Sequence, residues 1–194
     1  MDEIQLKNLR KKQWIYSNII FLFYALLAYS VIFSGATGLV VYLVLAGIFL
    51  ISPIGFFLFR TPQPLFLVFP GMKELQVYEK EKLKDAWFTY HVTFAILQVA
   101  ATIFFIIQAF IRKPQIAFIE GIPYWLIFAI SLVLLWLGNT NQIFHAKRID
   151  TKTYEQLKVY AEDRRTFAMV FAVVALVMTG IAILAVTIMS RKFI

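Results

Sequence analysis

Five stretches of this chain run for about 20 residues or more without one Asp, Glu, Lys or Arg: 14–33, 38–59, 86–111, 122–144 and 167–190. The hydrocarbon core of a bilayer is about 30 Å thick, and a helix rising about 1.5 Å per residue needs roughly 20 residues to cross it. The spacing therefore predicts an all-α polytopic bundle of five transmembrane helices, one membrane domain over 1–194. Composition agrees. The chain is 61% hydrophobic and 15% charged, where soluble domains are about 45–50% apolar and about 25% charged. Those values exclude a soluble globular domain, a disordered chain and a nucleic-acid-binding module. The first apolar run is longer than the roughly 7–15 residues of a signal-peptide core, and its leader carries Asp2 and Glu3, so it is read as a retained span.

The net charge of +8 is read as a threading signal. Lys7, Arg10, Lys11 and Lys12 precede the first run. Five more basic residues lie in the 60–85 connection and six in 145–166. The opposite loops hold Arg112, Lys113, Arg191 and Lys192. Basic residues stay on the cytoplasmic side, so the N-terminus is expected in the cytoplasm and the C-terminus outside. The expected location is the plasma membrane of a bacterial cell. Trp14, Trp87, Tyr124 and Trp125 stand near span ends, as interfacial aromatics do. The basic excess also attracts anionic lipid.

The two larger cytoplasmic connections carry structure of their own. Residues 73–85 and 151–165 lack Gly and Pro and alternate in charge. Both are expected to form short, largely solvated helices before the third and fifth spans, with surface pairs such as Glu79–Lys82 and Glu81–Lys84. They are the expected docking places for a protein partner. Between the second span and 73–85, residues 61–72 carry three prolines that prevent a continuous helix, so an interfacial or shallow re-entrant path is expected. Leu75-Gln-Val-Tyr78 and Leu157-Lys-Val-Tyr160 echo one another, as a duplicated helix-plus-span unit would.

Inside the runs the polar residues fall in stripes. His91, Ala95, Gln98, Thr102 and Ala109 share one helical face, and Tyr124, Ser131, Gly138, Gln142 and His145 share another. Ala168, Ala172, Ala175, Thr179 and Ala182 form a small-residue seam, which lets helix backbones approach. By depth, Asn18, His91, Gln98, Asn139, Asn141, Gln142 and His145 define a candidate pocket open to the cytoplasm, with Ser17 at the same level. Arg164 and Arg165 stand at its rim. Such a pocket suits an anionic headgroup or a small polar solute. Pro53 removes a backbone hydrogen bond within the second span and is a candidate hinge.

No catalytic motif is present: neither HExxH, GxSxG nor GxxxxGK[ST] occurs. There is no cysteine, and two histidines alone cannot complete a zinc shell. No metal, cofactor, catalytic residue or nucleic-acid partner is expected. The leading expectation is a non-enzymatic membrane protein acting by contact, of accessory, regulatory or immunity type. The alternative is a small-solute or ion transporter or channel, working as a homo-oligomer.

Overall fold

The computed structural model describes residues 1–61, 64–111, 117–119 and 122–191, with side chains to 181. It contains α1 (Glu3–Phe33), α2 (Gly38–Phe59), a 3-10 turn (Pro64–Val68), α3 (Met72–Leu83), α4 (Ala86–Ile111), α5 (Tyr124–Thr151) and α6 (Tyr154–Arg191). Five of these helices are long and apolar enough to cross a membrane: α1, α2, α4, α5 and α6. Much of their apolar surface faces outward. Leu132, Trp136, Phe171 and Val173 are each more than half exposed. In water so much uncovered apolar surface would drive aggregation, whereas in lipid it needs no cover.

Each helix starts and stops for a local reason. The Asp2 carboxylate accepts the Gln5 amide at 2.7 Å and caps α1, so the charged leader is helical and continuous with the first span. Gly35, at φ +77°, turns the chain into α2. Beyond α2, which closes on a left-handed Arg60, Pro64 opens the 3-10 turn, where a missing N–H costs nothing. Prolines 62 and 64 flank this path, and 62–63 lie outside the described residues. Gly71, at φ +82°, leads into α3. Lys84, at φ +46°, breaks the chain between α3 and α4. There the Tyr154 hydroxyl donates to Asp85 at 2.6 Å, and this bond holds the exposed carboxyl below the usual carboxylate range.

Successive membrane-length helices alternate in direction, so α4 and α6, which pack on one another, run parallel. The start of α1, the end of α2, the start of α4, the end of α5 and the start of α6 gather at one end of the bundle, together with α3. That end holds fifteen of the nineteen basic residues. At the other end Tyr29 meets Phe128, Phe33 meets Tyr124 and Tyr42 meets Phe118. Of the basic residues expected there, Arg112, Lys113 and Lys192 lie outside the described residues. Helix α4 packs along α2 and α6, α1 leans on α2 and α5, and α3 touches α1, α4, α5 and α6. The core sits at the α3 end. Leu83, Ala86, Trp87, Tyr90, Ile149, Leu157 and Ala161 form one cluster, Leu9, Met72 and Leu75 a second, and Phe56, Val92 and Ala95 a third.

Several expectations are corrected by this packing. Helix α3 is not largely solvated: Met72, Leu75, Glu79 and Leu83 are buried, one face pressed on the bundle. Glu79 forms no surface pair with Lys82; it lies beneath α3 against Arg10. The helix before the fifth span is not a separate element, because α6 runs unbroken from Tyr154 and nothing in its sequence interrupts it. Trp87 is not interfacial but 7% exposed, since α3 folds over the start of α4. Both tyrosines of the Leu-x-Val-Tyr echo pack on the same cluster, yet one copy is broken from its span at Lys84 and the other is continuous.

Gly55 shows how tightly the 3-10 turn seats on α2. A Cβ built there would stand 2.5 Å from Pro64 Cγ, whereas one on Gly47 in the same helix meets nothing within 4 Å. The Pro64 ring cannot rotate away. Gly55→Ala is expected to destabilise the purified protein by about 1–3 kcal/mol. Gly47→Ala should leave it unchanged or slightly raised, both read by thermal unfolding in detergent.

Candidate functional site

The α3 end is organised around a buried acid. Glu79 occupies the middle of the stripe Met72, Leu75, Glu79, Leu83, where the pattern otherwise demands an apolar residue. Its side chain is only 7% exposed. Arg10, on the inner face of α1, supplies its partner: the guanidinium donates through Nη1 to Glu79 Oε1 and to Gln13 Oε1 at 2.9 Å. On its other side Arg10 donates through Nη2 and Nε to the two Asp150 oxygens, at 2.7 and 3.1 Å. One guanidinium thus ties α1 to α3 and to the end of α5 with fork geometry.

His145 extends this network inward. Its Nε2 stands 3.7 Å from Glu79 Oε1 and its Nδ1 lies 2.9 Å from the Tyr90 hydroxyl. An ionised Glu79 only accepts, so the neutral tautomer that suits both neighbours carries its hydrogen on Nε2 and accepts from Tyr90 at Nδ1. Burial by itself would push the Glu79 carboxyl up. The His145 imidazole facing it and the charge of Arg10 outweigh that and hold the carboxyl down at about 2.

Beneath this network lies a cavity of about 240 Å³. Glu79, Tyr90 and His145 form its upper wall. His91, Gln98 and Phe94 line it from α4, and Gly138, Asn141 and Gln142 from α5. Gln13 and Ser17 reach it from α1, Ser52 and Phe56 from α2, and Arg164 from α6. The side chains come from six helices because α5 is held mainly through α1 while α4 packs on α2 and α6. The facing polar stripes of α4 and α5 therefore look at one another across a gap. Two residues of its lining each bury a polar atom, His91 Nε2 and Gln142 Oε1, that has no hydrogen-bond partner among the described residues. A buried group in that state costs roughly 1–3 kcal/mol.

Of the residues singled out in the sequence, His91, Gln98, Asn141, Gln142 and His145 converge on this cavity, as do Ser17 and Arg164. Asn18 and Asn139 are not in its wall. Their amides bond reciprocally, at 3.0 Å each way, and stitch α1 to α5 just below it. Arg165 is exposed and outside the wall. Pro53 is buried in a continuous α2, next to the cavity residue Ser52. Glu79, Arg10, Asp150 and Tyr90 were missed. The signal for Glu79 was available in its place within an apolar stripe. That for Arg10 was weaker: Leu6, Leu9, Gln13 and Tyr16 mark the inner face on which it falls. No group of three His, Cys, Asp or Glu among the described residues is placed to hold a metal ion. The chain matches no family model, no curated protein and no solved structure at a significant level of similarity.

The depressed Glu79 carboxyl has a consequence for acid stability. A group whose pKa is lower in the folded protein adds stability above its unfolded value, and that contribution disappears as pH falls toward the folded value. Wild-type protein is expected to lose this contribution between about pH 4.5 and pH 2. Glu79→Gln should be destabilised at pH 7 by about 3 kcal/mol, the cost of breaking a buried pair, and should show a flatter acid limb. Unfolding in detergent micelles across that pH range reads both.

Proposed function

We propose that this protein is a multi-pass plasma-membrane protein that binds a small polar solute in the cavity beneath α3 and lets it pass through the bundle, with no bond-making step. The α3 end, rich in Lys and Arg, faces the cytoplasm on this reading, by the rule that basic loops stay inside. The N-terminus is then cytoplasmic and the outer surface of that end meets anionic lipid headgroups.

The observation that carries the proposal is a cavity of about 240 Å³ lined by Gln13, Ser17, His91, Gln98, Asn141 and Gln142 among membrane-length helices. A bundle that served only as a scaffold gains nothing from a polar cavity, and apolar side chains filling that space would hold it more stably. A polar solute finds hydrogen-bonding side chains on the wall from several helices. Pro53 supports passage, because α2 has one fewer backbone bond next to Ser52 on the cavity wall. A homo-oligomer would supply further helices for so small a chain.

The contact reading keeps one observation in its favour. The outer faces of α3 and of the start of α6 remain exposed, with Val77 and Val159 both more than half accessible among charged neighbours. A cytoplasmic protein partner would dock there.

The two readings separate in liposomes. Reconstituted protein is expected to speed the osmotic re-swelling of vesicles for at least one of a panel of small polar solutes: glycerol, urea, acetate and phosphate. His91→Leu/Gln142→Leu should abolish that permeation while retaining its fold by circular dichroism. Wild-type protein that passes none of them, yet co-purifies stoichiometrically with a second protein, would establish contact as the function instead.

A further inference from the structure

Carboxylate and guanidinium charges cancel at the cavity. Among the described residues one of each lines it, Glu79 on α3 and Arg164 on α6. Just behind the wall Arg10 bonds Glu79 and is shared with Asp150, a second pair of opposite sign. An ion that gives up its water in such a place meets no charge in excess to replace it, and that transfer is costly. Hydrogen-bonding groups, by contrast, are in surplus. Ser17 on α1, Ser52 on α2 and Gln98 on α4 line the cavity, half-buried. Their side-chain polar atoms have no hydrogen-bond partner among the described residues, yet unlike His91 Nε2 and Gln142 Oε1 they keep accessible surface. Phe56 and Phe94 line the same space.

We infer that the solute is an uncharged polyol, held by Ser17, Ser52 and Gln98. This inference rests on the cavity being a binding site and names the class it accepts. A serine hydroxyl and a glutamine amide each donate and accept. So does every hydroxyl of a polyol, which therefore finds a match at each of the three whichever way the side chain is turned. The C–H faces of the same molecule suit the rings of Phe56 and Phe94. A zwitterion is less well served, because Arg10 and His145 already face the Glu79 oxygen that its ammonium would need. A volume of about 240 Å³ leaves room for glycerol or erythritol, where one water needs only about 10–15 Å³.

Tracer exchange into liposomes tests this, with each unlabelled solute at equal concentration on both sides and at pH 8, above the ordinary imidazole range. The solutes are erythritol, glycine, choline and glycerol phosphate. Reconstituted protein should speed erythritol and leave the other three at the rate of protein-free vesicles. Ser17→Ala/Ser52→Ala should slow erythritol about tenfold, the loss of two ordinary hydrogen bonds. Neither hydroxyl holds a bond within the fold, so this variant should melt as wild type. Arg164→Gln leaves one negative charge in excess and should admit choline while still excluding glycerol phosphate. Arg165→Gln, outside the wall, should match wild type. Glycine, choline or glycerol phosphate passing wild-type protein as fast as erythritol overturns the polyol assignment, and the cavity's part in permeation then stands. A folded Ser17→Ala/Ser52→Ala protein with wild-type erythritol exchange overturns it too, as does a folded Arg164→Gln protein that still excludes choline. Wild-type protein that speeds none of the four, nor any solute in the re-swelling panel, overturns the binding cavity itself.

Discussion

The salt bridge beneath α3 is the interaction on which the rest of this structure depends. Five helices long and apolar enough to cross a membrane would gain little there from apolar contact with one another, since lipid tails are as apolar as their own side chains. What gathers them at one end is a set of directional bonds among groups that cannot be left alone in a low-dielectric place. Arg10, Glu79 and Asp150 connect α1, α3 and α5, and His145 with Tyr90 carries the connection on to α4. A buried ion pair is not in itself a large source of stability, because desolvation offsets much of the attraction. Its effect here is to permit one arrangement only: displacing any of the three helices strands a charge.

That arrangement explains why a cavity exists. Helix α4 is packed on both flanks by α2 and α6, while α5 is tied through α1, by the Arg10 fork above and the Asn18–Asn139 amide pair below. The polar faces of α4 and α5 are thereby held opposite one another without closing. Small residues would have allowed the backbones to approach, and Ala168 and Ala172 do so where α6 meets α4. On α5 the corresponding face carries long amides and an imidazole, and the space between is left to whatever can hydrogen-bond to them.

The architecture was legible for the strongest of physical reasons. A run of uncharged residues long enough to cross lipid has few alternatives, and the basic residues gather at one end of the folded bundle as their alternation between loops implied. The convergence of His91, Gln98, Asn141, Gln142 and His145 was legible from helical spacing and depth alone. Elsewhere local pattern misled. The charges of 73–85 read as a solvated face because most of them are; only the register of Glu79 with Met72, Leu75 and Leu83 distinguished it. Asn18 and Asn139 had the right depth but the wrong rotation, and each found the other. Trp87 had the position of an interfacial anchor and became core because a helix folded back over it.

What the sequence determined by itself, then, was the number of apolar helices, their alternating direction and the end at which the charge collects, since each of these follows from the free energy of single residues in lipid or water. Which charges face inward, which amides pair and which stay unpaired was decided only in three dimensions. Those outcomes depend on the rotation of one helix against another, and a rotation of one residue, about 100°, turns a buried partner into a solvated one.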